Sequence, residues 1–313
     1  MLSRTADHLY WMSRYLERAV NLARIVDAHQ RLALLPRAPE AVLQGWHATL
    51  VSLGMDVAYH ERHGAVTARA AFDFVAFDRE HPGSILQCLR GARENARAVR
   101  GTITSDMWET LNETYLESVT FSSNMPESAR GDFLEWVKYR GHLARGITSG
   151  TLLRDEAAHF THIGTFIERA DNTTRMLEAR WRDPGRRGER LIEEAAEWAV
   201  LLRAMSAFEM FRRLYRDSVT PQRVTQMLLM RDDLPQGVHR CLDELQANLA
   251  AVANSQSSET VRRVGELHAQ FHFGRFEDMC AGGVPVFLDA FQERLRDLGR
   301  RIADDFLVPS STY

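Results

Sequence analysis

Hydrophobic positions recur at spacings of three and four along almost the whole chain. Leu9, Met12, Leu16, Ala19, Ala23 and Val26 form the first stripe, the signature of a helix with one apolar face. Pro36 and Pro39 end it. A second helix is predicted over 40–59 and a third over 85–103, behind Pro82. Ser105 is expected to cap a fourth, with Asp106 and Glu109 in the first turn, where the helix dipole favours negative charge. A fifth covers 129–143. The second half continues in the same style, with helices predicted over 155–181, 188–215, 221–229, 235–253, 259–271 and 284–306, and a break at Asp183-Pro184-Gly185. Alternating β-branched runs joined by hairpin turns are absent. The expected fold is all-α.

The chain also repeats itself. At an offset of 151, residues 6–29 align with 157–180, with Ala6/Ala157, His8/His159, Glu17/Glu168, Arg18/Arg169, Ala19/Ala170, Asn21/Asn172, Arg24/Arg175 and Ala28/Ala179 identical. At 152, Trp46 and Leu50 meet Trp198 and Leu202; at 153, Pro82, Cys88, Leu89, Asn95, Ala98 and Val99 meet Pro235, Cys241, Leu242, Asn248, Ala251 and Val252. A nearly constant offset with single-residue slips implies duplication. Two tandem helical repeats, 1–150 and 151–313, are therefore expected to pack about a pseudo-twofold axis, as a homodimer would. No Gly/Ser-rich linker separates residues 140 and 160, so one continuous bundle is favoured over two tethered domains.

At about 100° per residue, Glu17, Asn21, Arg24 and Ala28 fall on one face of the first helix, and Glu168, Asn172, Arg175 and Ala179 on the corresponding face of its repeat. Arg18 and Arg169 project about a quarter turn away. These eight polar residues admit two readings. They form a solvated face or an ion-pair seam that fixes the packing of the repeats, or they face each other across the pseudo-axis and line a polar cleft for a charged ligand or partner residue.

Composition narrows the chemistry. The 313 residues carry 39 basic and 42 acidic side chains, a net charge of −3, which removes the bulk electrostatic footprint of a duplex-DNA binder. Lys138 is the only lysine, and because Tyr139 follows it there is no P-loop; G-x-G-x-x-G, H-E-x-x-H and G-x-S-x-G motifs are absent as well. Arginine supplies the bidentate carboxylate and phosphate contacts that lysine cannot. Cys88, Cys241 and Cys280 are too few and scattered for a disulfide framework and read as buried, inert thiols in a reducing compartment. The opening carries Arg4, Asp7, Arg14 and Glu17, so no signal-peptide core is present, and apolar runs such as Trp198 to Leu202 are far too short to span a membrane. A cytoplasmic protein is expected.

Helical bundles also host di-iron sites, which need two Glu-x-x-His motifs and two further glutamates. Glu156-x-x-His159 supplies one such motif, but the repeat has Thr5 beside His8, so no metal site is expected. The stripe Arg93, Arg97 and Arg100 and the cluster Arg182, Arg186, Arg187 and Arg190 are solvated charges or contacts to phosphate or protein. Tyr10, Trp11, Tyr15, Trp108 and Tyr115 are candidate anchors for a partner, or plain core.

The opening LSRTADHLYWMSRYLERAVNLARIVD, with Glu17-Arg18-Ala19, resembles the start of the bacterial alpha-E family, named for an all-helical domain with a Glu-Arg motif. The segment FDREHPGSILQCLRGARENARAVRGTITSDMWETLNETYL, from Phe77 to Leu116, is similar to that family's second signature, and IERADNTTRML (167–177) adds to the resemblance. His81-Pro82-Gly83-Ser84 departs from the family's Asn-Pro-Ser-Ser. The resemblance implies a companion of a circularly permuted ATP-grasp protein, often found with a transglutaminase-like protease homologue. It implies a helical partner subunit in ATP-dependent peptide or amide bond formation, with no cofactor of its own and with ATP and magnesium on the ligase. A stand-alone enzyme acting on a small anion or peptide in the Glu/Arg cleft, and a homo-oligomeric scaffold, are the competing readings.

Overall fold

The structure, a computed structural model, describes residues 1–33, 39–182 and 191–308. Those residues form fifteen α-helices and no strand. Two long helices lie at the centre, α1 (Ser3–Ala33) and α8 (Glu156–Trp181). They run parallel. Tyr10 and Ser13 touch Gly164, Glu17 meets Arg169, and further on Ile25, Ala28 and Leu32 share a cleft with Met176 and Ala179. A Cβ at position 164 would lie 2.3 Å from both the Tyr10 carbonyl oxygen and Ser13 Oγ, so the close approach of α8 to the α1 backbone depends on glycine.

The surrounding helices are disposed alike about this pair. α5 (Ile85–Ala98) packs on α1 and α12 (Val238–Ala251) on α8; α7 (Glu127–Thr151) flanks α1 and α15 (Val284–Phe306) flanks α8. The same local contacts recur. His8 Nδ1 lies 2.8 Å from Asn95 Oδ1, and His159 Nδ1 lies 2.8 Å from Asn248 Oδ1. Trp46 and Trp198 are buried, as are Cys88 and Cys241. Threonines 67 and 220 cap α4 (Ala68–Phe77) and α11 (Pro221–Met230).

Several predicted helices are shorter or split. The expected helix over 40–59 becomes α2 (Pro39–Ser52) and α3 (Asp56–Arg62), parted at Gly54. Gly54 has φ +67°, its N–H bonds the Val51 carbonyl, and the Met55 N–H bonds that of Leu50. That is a Schellman motif, which closes a helix with one left-handed residue. The helix expected over 188–215 is parted by the same bonds at Ser206 (φ +53°) into α9 (Leu191–Ala204) and α10 (Phe208–Leu214). Its predicted start, the Asp183-Pro184-Gly185 break, Pro36, and Arg186, Arg187 and Arg190 lie outside the described residues. Thr104, not Ser105, caps α6 (Ser105–Ser118) by accepting from the Met107 N–H. Helix α7 runs well beyond the predicted 129–143. Helix α4 has no predicted counterpart, nor does the four-residue α14 (Phe276–Met279); the remaining helix is α13 (Ser258–Phe273).

α1 feeds two cores. Leu9, Tyr10 and Met12 join Phe160, Trp198 and Leu242 in one; Ala19, Leu22 and Val26 join Trp46, Phe72 and Phe133 in the other. Tyr10 is thus a core residue and is not available as an exposed anchor.

Candidate functional site

Midway along α1 and α8 the two Glu-Arg pairs exchange partners. Glu17 Oε1 accepts from Arg169 Nε at 2.9 Å, and its Oε2 accepts from Arg169 Nη2 at 3.2 Å and from Arg145 Nη1 of α7 at 3.0 Å. Glu168 Oε1 accepts from Arg18 Nε at 2.6 Å, while its Oε2 accepts from Arg18 Nη2 at 3.0 Å and Arg14 Nε at 2.8 Å. Each glutamate therefore meets the arginine of the other helix. The crossing follows from register: parallel helices held close at Gly164 bring positions 17 and 168 to the same level, and adjacent residues of each motif point to opposite sides.

Both carboxylates are buried, at 3% and 2% exposure. Burial alone pushes their carboxyls up, but the arginines prevail. Arg169 and Arg145 hold Glu17 down at about 2, and Arg14 and Arg18 hold Glu168 below its ordinary value. Both are ionised at neutral pH.

The remaining predicted residues separate. Asn172 donates to the Glu168 carbonyl at 2.8 Å, closing a bond within its own helix. Arg175 pairs with Asp171, four residues before it, at 2.7 Å. Asn21 and Arg24 have no such partners. Position 20, four before Arg24, is valine, and Asp27, three after it, is taken by Arg31 and Lys138. Asn21 Nδ2 and Arg24 Nε are buried without a hydrogen-bond acceptor. Arg24 is only 3% exposed. Burial draws its guanidinium down to about 10, Glu17 resists, and Arg145 and Arg169 add to the fall. It remains a cation at neutral pH. The Glu17 layer thus holds three arginines, Arg24, Arg145 and Arg169, against one buried carboxylate.

A cavity of about 290 Å³ opens beside this layer, between α1, α7 and α8. Glu17, Arg145, Arg169, His162 and Thr165 line it, and Glu244 stands at its wall, held by Arg240. Arg14 and Arg145, which complete the two clusters, were not foreseen. Arg14 is one turn before Arg18 on a predicted helix; Arg145 comes from α7 and nothing local in the sequence points to it.

Other candidates are accounted for by local contacts. Cys88 and Cys241 are pushed up to about 12 by burial, which leaves them as unreactive thiols. Arg93 bonds Asn112 and Glu94, Arg97 pairs with Glu94, and Arg100 covers the Trp108 ring. Arg182 pairs with Glu178 and Asp289. Trp11 and Tyr15 carry Arg14 and Arg18 over their rings, and Tyr115 carries Arg93. His159 is bound to Asn248 and does not join Glu156 in a ligand set.

The chain is thus an all-helical protein organised around two buried, reciprocally paired Glu-Arg dipeptides. The chain belongs to the Alpha-E family, described as a predicted alpha-helical domain with a conserved ER motif, whose model matches residues 1–307. Its relatives include the uncharacterized proteins Rv2567 of Mycobacterium tuberculosis and Mb2597 of Mycobacterium bovis, each 26% identical over 326 residues. The alignment covers 96% of this chain and 36% of theirs, so the chain spans about a third of the length of these relatives. No solved structure matches it. Among the described residues, no helix is long and apolar enough to cross a membrane.

Proposed function

We propose that the chain is the helical partner subunit of an ATP-grasp carboxylate–amine ligase, and that the Glu17 layer receives a carboxylate belonging to that reaction. Arg24 carries the reading. Its side chain is 3% exposed, its Nε is buried without a hydrogen-bond partner, and it shares the single carboxylate of Glu17 with Arg145 and Arg169. Buried charge short of counter-charge is unfavourable, and a bound anion would supply more of it. An arginine fork matches a carboxylate in bidentate fashion, and the neighbouring cavity, which Arg145 and Arg169 line and Arg24 does not, has room for a small acidic group beside the layer.

The two halves are repeats about a pseudo-twofold axis between α1 and α8, and their departure from symmetry makes the site. Where the second repeat has Asp171 for Arg175, the first has Val20 and leaves Arg24 free. The greater length of the mycobacterial relatives accords with a module that works beside other domains. ATP and magnesium belong to the ligase, a peptide is the natural amine or carboxylate substrate, and the compartment is the cytoplasm.

The test mixes the purified chain with a circularly permuted ATP-grasp protein of the same organism. Co-elution in size-exclusion chromatography, and ligation that falls when the chain is omitted or carries Arg24→Met, are the expected results. Independent elution with full ligase activity in the absence of the chain refutes the partnership. Turnover by the chain alone would instead establish a stand-alone enzyme, and self-association without ligase binding would establish a scaffold.

A further inference from the structure

Away from the Glu-Arg layer, three histidines converge between α12 and α13. His239 lies in the first turn of α12, one turn before Asp243, and His268 and His272 stand one turn apart near the end of α13. The helices follow one another in the chain and pack together, which brings the start of α12 to the end of α13. One nitrogen of each ring lies within 4.8 Å of one nitrogen of each of the others. The ring centroids are 6.0 Å apart for His239 and His268, 5.7 Å for His239 and His272, and 5.2 Å for His268 and His272.

Two of the rings are already oriented. Nδ1 of His239 lies 3.0 Å from the Met230 carbonyl oxygen; a carbonyl only accepts, so Nδ1 carries a proton, and in the neutral ring Nε2 presents a bare lone pair. That Nε2 is buried and has no hydrogen-bond partner, on a residue 6% exposed, with Asp243 Oδ1 too far to bond at 3.6 Å. Nε2 of His268 donates to Asp243 Oδ1 at 2.8 Å, which in the neutral ring leaves Nδ1 bare. A carbonyl or carboxylate on the non-ligating nitrogen is the usual outer support of a metal-binding histidine.

We propose that His239, His268 and His272 bind a transition-metal ion of the Zn²⁺ class, with the Met230 carbonyl and Asp243 as positioning groups and the fourth position open to solvent. Neutral imidazole nitrogens suit zinc, cobalt, nickel or copper, whereas magnesium and calcium select oxygen. Tetrahedral coordination at Zn–N distances of about 2.0–2.1 Å sets ligand nitrogens about 3.3 Å apart. Closing that gap takes rotation of the rings, and His272 is exposed. The ion would tie α12 to α13 near the segment whose Pro235 carbonyl accepts from Arg169.

The test uses the full chain, freed of metal by dialysis against a chelator and titrated with Zn²⁺ against a chromophoric competitor. The expected result is one ion per chain at micromolar affinity or tighter. Co²⁺ should bind in the same place and give the visible absorption of a tetrahedral site. His272→Ala, at an exposed position, should leave the metal-free melting curve unchanged and weaken binding at least about tenfold, and Asp243→Asn should weaken it about 10–100-fold. Absence of stoichiometric binding, or equal affinity in the wild type and His272→Ala, overturns the proposal.

Discussion

Replacing Glu17 with glutamine removes one charge from the centre of the molecule while keeping its shape. The side chain is 3% exposed and accepts three arginine N–H groups, two from Arg169 and one from Arg145. Its carboxyl is held at about 2, against an ordinary value of 4.5, so its charged form is favoured by about 3 kcal/mol. Breaking a buried pair from one side costs about 3–5 kcal/mol, because the partner charge stays buried. Glu17→Gln should therefore destabilise the chain by about 3 kcal/mol, read from the midpoint of urea unfolding at pH 7 with an unchanged slope. Arg169→Met should cost a similar amount, and the double variant much less than the sum. The resulting coupling should be about 2–3 kcal/mol, at the upper end for contacting residues. A loss below about 1 kcal/mol for Glu17→Gln, as for an exposed pair, or additive variants, would refute the buried crossed network.

Three further outcomes follow from the same contacts. Glu17 and Glu168 both have lowered carboxyls, so their stabilisation is complete above the ordinary value of 4.5 and drains away as pH falls toward about 2; acid titration of unfolding stability should show this fall, shallower in Glu17→Gln. Gly164→Ala places a Cβ 2.3 Å from the Tyr10 carbonyl and Ser13 Oγ, and should cost about 1–3 kcal/mol in thermal or urea unfolding as α1 and α8 are forced apart. Ser206→Gly relieves a left-handed residue at the α9 terminus and should raise stability by about 1 kcal/mol, measured in the same assays.

The helices that build the site were readable because α1 and α8 are amphipathic and share the Glu-Arg motif. α4 was not, since its ten residues, ARAAFDFVAF, are too short for a long stripe and carry polar side chains only at Arg69 and Asp73; its Phe72, Phe74, Val75 and Ala76 are all buried. The helix predicted over 40–59 runs through Gly54 although glycine is the residue that commonly marks such an end, whereas Ser206 adopts the same left-handed turn without that residue. The stripes Glu17-Asn21-Arg24 and Glu168-Asn172-Arg175 were visible as faces, but their partners depend on the register of two distant helices. Arg145 joins through α7, and Arg175 leaves the layer for Asp171 because i,i+4 neighbours meet on a helix. The histidine trio is hidden in the sequence for a similar reason. His268 and His272 show helical ligand spacing, but His239 reaches them only through the α12–α13 packing.

Calorimetric titration with a peptide bearing a free α-carboxylate, beside the same peptide as its amide, shows whether the layer holding Arg24 is short of an anion. The carboxylate form should bind at least about tenfold more tightly, as a charged hydrogen-bonded contact of about 1.5–3 kcal/mol implies, and Arg24→Met should abolish the difference while the chain stays folded. Equal binding of the two peptides, or a preference for the carboxylate that survives Arg24→Met, would contradict such a shortage.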